Sequence, residues 1–154
     1  MKVSNMYVPP YESLLRSLNT SKSALEHAKD VTISVGLLKL LLQFAVAQGD
    51  FDEESYLRSN PDVRDAVNSG EIESGRLHYI GFGYFEGRKG GMVAVDESWY
   101  LKKYPDVAIA VKDGRVDSAT QHFNTIGAGE GRSPSADQQD YATQWKEAID
   151  AQKL

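Results

Sequence analysis

The side chains that could do chemistry in this sequence stand in pairs. His78 is followed by Glu86 and Arg88, and 44 positions further on His122 is followed by Glu130 and Arg132. A histidine with a carboxylate companion could serve as a general base or a metal ligand, and the planar fork of an arginine suits an incoming anion. Each of these roles competes with a structural one. A zinc site would have to gather carboxylates from afar, because the chain has three His, one of them His27 outside the pairs, and no Cys. The stronger expectation is that His78 and His122 bond to turn backbone and pack their faces on Tyr56 and Tyr100. For Arg88 and Arg132 two readings stay open. Each could clamp its loop to Asp62 or Asp106, or to the aspartate at the next helix start, or it could recognise a ligand beside an exposed aromatic patch of Tyr79, Phe82, Tyr84 and Phe85.

Gly81, Gly83 and Gly87 have the look of a phosphate-cradling loop, but no β-strand precedes them, and they read better as stops after a helix. Gly127, Gly129 and Gly131 follow a helix in the same way. No cofactor and no metal are expected.

The elements that must position these residues are duplicated as well. Residues 51–90 align without gaps on 95–134. The identities run from Asp52/Asp96, Glu53/Glu97, Tyr56/Tyr100 and Leu57/Leu101 through Pro61/Pro105, Asp62/Asp106, Val63/Val107, Ala66/Ala110 and Val67/Val111. They continue at Gly70/Gly114, Ser74/Ser118, His78/His122, Gly83/Gly127, Glu86/Glu130, Gly87/Gly131 and Arg88/Arg132. An ungapped match of this kind is the mark of an internal repeat. Each copy reads as three short helices. Asp52 or Asp96 caps the first, and Pro61 or Pro105 opens the second. Gly70 or Gly114 stops that second helix, and Ser74 or Ser118 starts the third. Where the copies differ, partner specificity could be written: Tyr84-Phe85 becomes Ala128-Gly129, and Ser55 becomes Trp99.

The pattern Phe-Asp-x-x-x-Tyr-Leu-x-x-Asn-Pro-Asp-Val, followed by Ser-x-x-x-His-Tyr-x-x-x-Gly-x-x-Glu-Gly-Arg, resembles a bacterial tandem-repeat family. Its units are found beside glycosyltransferase and methyltransferase domains and in large secreted proteins with calcium-binding repeats. The resemblance covers residues 51–134. It implies an accessory, non-catalytic module in surface-polysaccharide and secretion contexts, with no active site to carry over. The sequence carries no enzyme domain of that kind, so the expectation is a free-standing adaptor or a subunit acting in trans.

Outside the repeats, residues 1–50 and 135–154 read as helical extensions. Pro9-Pro10 ends an extended arm, and Tyr11, Leu14, Leu15 and Leu18 have helical spacing up to a break at Asn19–Ser21. Residues 31–48 form the most apolar stretch, read as a helix surrounded by protein that ends in a left-handed Gly49. Its surplus apolar surface is either the centre of a monomeric core or an oligomer seam through Leu37, Leu40, Leu41 and Phe44. In the tail, Ser135 and Gln138 suggest a capping box, and Tyr141, Trp145 and Ile149 a stripe docked on its own domain.

Composition excludes several partners. Of 154 residues, 41% are hydrophobic and 25% charged, the balance of a folded domain. The net charge of -5 offers no general attraction to nucleic acid or anionic lipid. No stretch approaches the roughly 20 apolar residues of a membrane-spanning helix. Met1–Tyr11 lacks the features of a secretory signal, which reads the chain as cytoplasmic. The expectation is an all-α chain: two tandem three-helix repeats (51–90 and 95–134), an N-terminal hydrophobic helix with a role in oligomerisation, and a C-terminal helix. It would be a non-enzymatic adaptor for a protein partner. The alternative is a glycan or small-anion binding domain using Arg88, Arg132, His78, His122, Tyr84, Phe85 and Trp99.

Overall fold

The protein is described by a computed structural model that covers residues 7–91 and 94–153. These residues are all-α: ten α-helices, two π-helical segments and no strand among the described residues. None of the helices is long and apolar enough to cross a membrane. The chain divides into two compact units, residues 1–92 and 93–154.

In the first unit, α1 (Tyr11–Ser17) follows Pro10 and ends where Asn19 turns left-handed at φ 53. Helix α2 (Lys22–His27) is capped by the Ser21 hydroxyl, which accepts from the Ala24 N–H at 3.2 Å. Helix α3 spans Val35–Gln48 and so begins four residues later than the sequence suggested. The reason is local. The Ser34 hydroxyl accepts from the Leu37 N–H, and the β-branched run before it stays irregular. Helix α3 also ends differently: Gly49 has φ -77 and does not form a left-handed stop.

Helices α4 (Glu53–Ser59), α5 (Pro61–Asn68) and α6 (Gly75–His78) follow, and α6 runs directly into the segment π1 (Tyr79–Gly83). The Asp52 carboxylate caps α4, accepting from the Ser55 N–H at 2.9 Å. Gly70, at φ 80, closes α5: its own N–H donates to the Val67 carbonyl and the Glu71 N–H to Ala66. This is the paired bonding of a Schellman stop. The core of the unit is Tyr56, Val63 and Tyr79, with Val46 of α3 and Phe51, Leu57, Val67, Ile72 and Tyr84 packed around it.

The second unit contains α7 (Glu97–Lys103), α8 (Pro105–Lys112), α9 (Ala119–His122), π2 (Phe123–Gly127) and α10 (Gln139–Ala151). Its core is Tyr100, Val107 and Ala119, surrounded by Val95, Trp99, Leu101, Tyr104, Val111 and Phe123. Asp96 caps α7 through the Trp99 N–H, Ser118 caps α9 through the Gln121 N–H, and Gly114 stops α8 at φ 69.

Gly83 and Gly127 are not helix stops. Each is the last residue of its π segment, without a left-handed φ, and a turn carries the chain on to Gly87 (φ 68) or Gly131 (φ 77). There the Arg88 N–H reaches the Gly83 carbonyl, and the Arg132 N–H the Gly127 carbonyl, both at 2.9 Å. The Glu-Gly-Arg triplets therefore close the turns that follow π1 and π2. Gly83 and Gly127 are glycines because the hydroxyl of Tyr56 or Tyr100 occupies the place a Cβ would take.

Gly83→Ala should consequently cost about 1–3 kcal/mol through overpacking. Gly81→Ala, two residues earlier, meets nothing within 4 Å and should leave stability unchanged or slightly raised. Urea unfolding of the two variants checks the contrast, and an equal loss in both would refute this account of Gly83.

Candidate functional site

The paired His, Glu and Arg side chains each have a partner within their own unit. In the first, the Tyr56 hydroxyl and His78 Nδ1 share a hydrogen bond of 3.0 Å. In the second, Tyr100 and His122 do the same at 3.1 Å. The histidines thus bond to buried tyrosine hydroxyls and not to turn backbone. A helix that brings a histidine over a core tyrosine offers it a nearer partner than the loop. Burial pushes the Tyr56, Tyr79 and Tyr100 hydroxyls up to about 12. All three stay protonated, and able to donate, across the neutral range.

The arginines form the internal clamps. Arg88 Nη1 lies 2.8 Å from Asp62 Oδ2, and its Nε donates to Glu86 at 2.8 Å. Arg132 is forked on Asp106 by two bonds of 2.9 and 2.7 Å, and its Nε donates to Glu130 at 2.7 Å. The Arg88 guanidinium holds the Asp62 carboxyl below the usual aspartate range, and Arg132 does so for Asp106. The arginines are raised in turn, Arg88 chiefly by Glu86 and Arg132 chiefly by Asp106. The aspartates stand at the first turn of α5 or α8, so each clamp staples the turn after π1 or π2 to the start of α5 or α8.

Three links were not foreseen from the residue pattern. The Glu53 carboxylate accepts from the backbone N–H of Gly75 and Arg76 at 2.6 and 2.8 Å, joining α4 to the start of α6. Glu97 plays this part in the second unit, accepting from the N–H and hydroxyl of Thr120. The identity of Glu53 and Glu97 in the aligned segments was the available signal. Position 60/104 is the third link. Asn60 donates to the Tyr56 and Lys89 carbonyls, both at 2.8 Å, whereas Tyr104 accepts from the Ser133 N–H at 2.9 Å and lies under the Arg132 guanidinium. Different chemistry ties the returning loop to the helix junction in each case.

The expected aromatic patch is mostly interior. Tyr79 is 3% exposed, Tyr84 and Phe85 are half-buried in edge-on pairs, and Lys39 of α3 lies over the Phe85 ring; Phe82 alone of the four is open, at 63%. Trp99 is half-buried edge-on to Tyr104. Open apolar surface lies elsewhere. Helix α3 is not enclosed: Val35, Leu38, Leu40 and Leu41 are exposed, while Leu37 and Phe44 are half-buried. The stripe on α10 is likewise undocked, with Trp145 56% exposed beside Tyr141 and Ile149. A shallow groove there is lined by Tyr141, Gln144, Trp145 and Ala148. The capping box before it does not form; the Ser135 hydroxyl donates to the Asp137 carboxylate, and α10 starts after Gln138.

Among the described residues no group of three or more His, Asp or Glu is placed to hold a metal ion, and no buried side-chain polar atom lacks a partner. Compared with protein families, curated proteins and solved structures, the chain matches no family model, no curated relative and no solved structure.

Because the buried tyrosines titrate higher in the folded than in the unfolded chain, their contribution to stability is complete below pH 10. It is lost as pH rises from 10 toward 12. Urea unfolding across this range should show that loss, and the double variant Tyr56→Phe/Tyr100→Phe should show less of it, starting from a stability lower by about 1 kcal/mol per hydroxyl. A wild-type stability that is flat between pH 10 and 12 would contradict the assignment.

Proposed function

We propose that residues 51–90 and 95–134 are two copies of one helical repeat, and that the chain is a non-catalytic module which binds or assembles with protein. One observation carries this reading. The groups able to do chemistry are committed to partners inside their own units, whereas the apolar surface of α3 and α10 is left open. A histidine held by a core tyrosine and a glutamate held by an arginine are poorly placed to share a substrate proton. An open apolar face beside satisfied polar groups is what protein association uses.

The setting, regulation or scaffolding of bacterial surface-polysaccharide synthesis or export, is supported by the resemblance of the repeats alone. A second reading, a glycan-binding domain, is favoured by the α10 groove, where Tyr141 and Trp145 could stack on sugar rings beside the Gln144 amide.

Titrating oligosaccharides, phosphate and sulfate against the fluorescence of Trp99 and Trp145 separates the two. The adaptor reading expects no saturable change. A saturable response abolished by Trp145→Ala would establish the glycan reading, and one abolished by Arg132→Ala would show that the clamp is a ligand site.

A further inference from the structure

We propose that α3 is a strap fastened at its C-terminal end, whose free part, residues 35–42, lifts away from π1 and the turn after it and so governs the exposure of Tyr84 and Phe85. The fastening is made of several contacts. Ala47 is fully buried, Val46 packs on the core, and the Arg76 guanidinium donates to the Ala47 and Gly49 carbonyls at 2.9 and 3.4 Å. Toward the N-terminal end the hold weakens. The Gln43 amide reaches the Gly81 carbonyl at 3.5 Å, the outer limit of a hydrogen bond, and Lys39 lies 5.4 Å over the Phe85 ring while its side chain stays largely open to water.

The side that α3 turns inward along this part is its polar one. Lys39 and Gln43, one turn apart, are both directed at π1 and the turn after it, whereas Val35, Leu38, Leu40 and Leu41 are between 43% and 68% exposed. A helix seated for permanent burial has the reverse order, apolar side in and polar side out. Of the fourteen residues of α3 only Ala47 is buried, and a segment with so few buried apolar contacts opens at a low free-energy cost. The second unit shows that the frame beneath stands without such a cover. At the aligned positions of Gly81, Tyr84 and Phe85 it has Thr125, Ala128 and Gly129, all exposed, and its tyrosine–histidine pair and arginine clamp are intact. Lifting α3 therefore leaves the frame in place and opens the aromatic pair, which is half-buried while the strap is seated.

The absence of cysteine lets spin labels be placed in pairs on introduced ones. Helical rise puts Leu38 about 14 Å along the axis from Ala47, so opening about the fastened end moves Leu38 far and Gln48 little. Double electron–electron resonance on the full chain should give a broad or two-peaked distance distribution for Leu38→Cys/Arg64→Cys and a narrow one for Gln48→Cys/Arg64→Cys, Arg64 being an exposed residue of α5. Adding Gln43→Leu, which sets an apolar side chain against π1, should collapse the first distribution to one narrow peak. Adding Lys39→Ala and Gln43→Ala should shift it the other way, with the helical circular dichroism of the rest retained. A Leu38–Arg64 distribution as narrow as the Gln48–Arg64 one overturns the proposal, as does a broad one that neither set of changes at Lys39 and Gln43 alters. None of these outcomes touches the adaptor reading, which stands or falls on the fluorescence titrations.

Discussion

The core of each unit depends on a tyrosine whose ring is fully buried and whose hydroxyl must still be satisfied. Tyr56 and Tyr100 meet that demand by running their rings to a histidine at the end of α6 or α9. The hydroxyl needs space to arrive, and a glycine five residues beyond the histidine provides it. A buried hydroxyl without a partner would cost more than the hydrogen bond itself contributes, so tyrosine, histidine and glycine act as one device. The π turn belongs to the same constraint: the helix widens where the tyrosine tip presses against its backbone.

Around this centre the charged residues act as ties between chain segments. Asp62 and Asp106 are more than half exposed, so each arginine clamp contributes modestly to stability and chiefly sets the path of the returning chain. Glu53 and Glu97 have more leverage, because they satisfy backbone N–H groups that a short third helix would otherwise leave unpaired. With these groups engaged, α3 and α10 still leave apolar side chains open to solvent.

The two units differ most where they meet chain outside the matched segments. In the first, α3 lays Val46 on the core and receives Arg76 at its C-terminal carbonyls. In the second, Thr120 stands at the position of Arg76 and bonds instead to Glu97. The exchange of Asn60 for Tyr104 shows the same latitude, since a backbone link can be made by an amide reaching two carbonyls or by a phenol reaching one N–H.

By itself the sequence determined the helical class, the caps at Asp52, Asp96, Ser74 and Ser118, the proline starts, and the stops at Gly70 and Gly114. These rest on local backbone chemistry, which can be read along the chain, whereas for Arg88 and Arg132 the sequence left a clamp and a ligand site both open and the fold placed them on Asp62 and Asp106. Tertiary structure alone decided that Gly83 and Gly127 are clearances and not stops, that the histidines bond to tyrosines, that Tyr79 is core, and that α3 and α10 keep open faces. Such facts depend on which atoms approach from residues twenty or more positions away. A glycine, a histidine or an apolar stripe looks the same in sequence whether its neighbour is solvent, backbone or a buried ring.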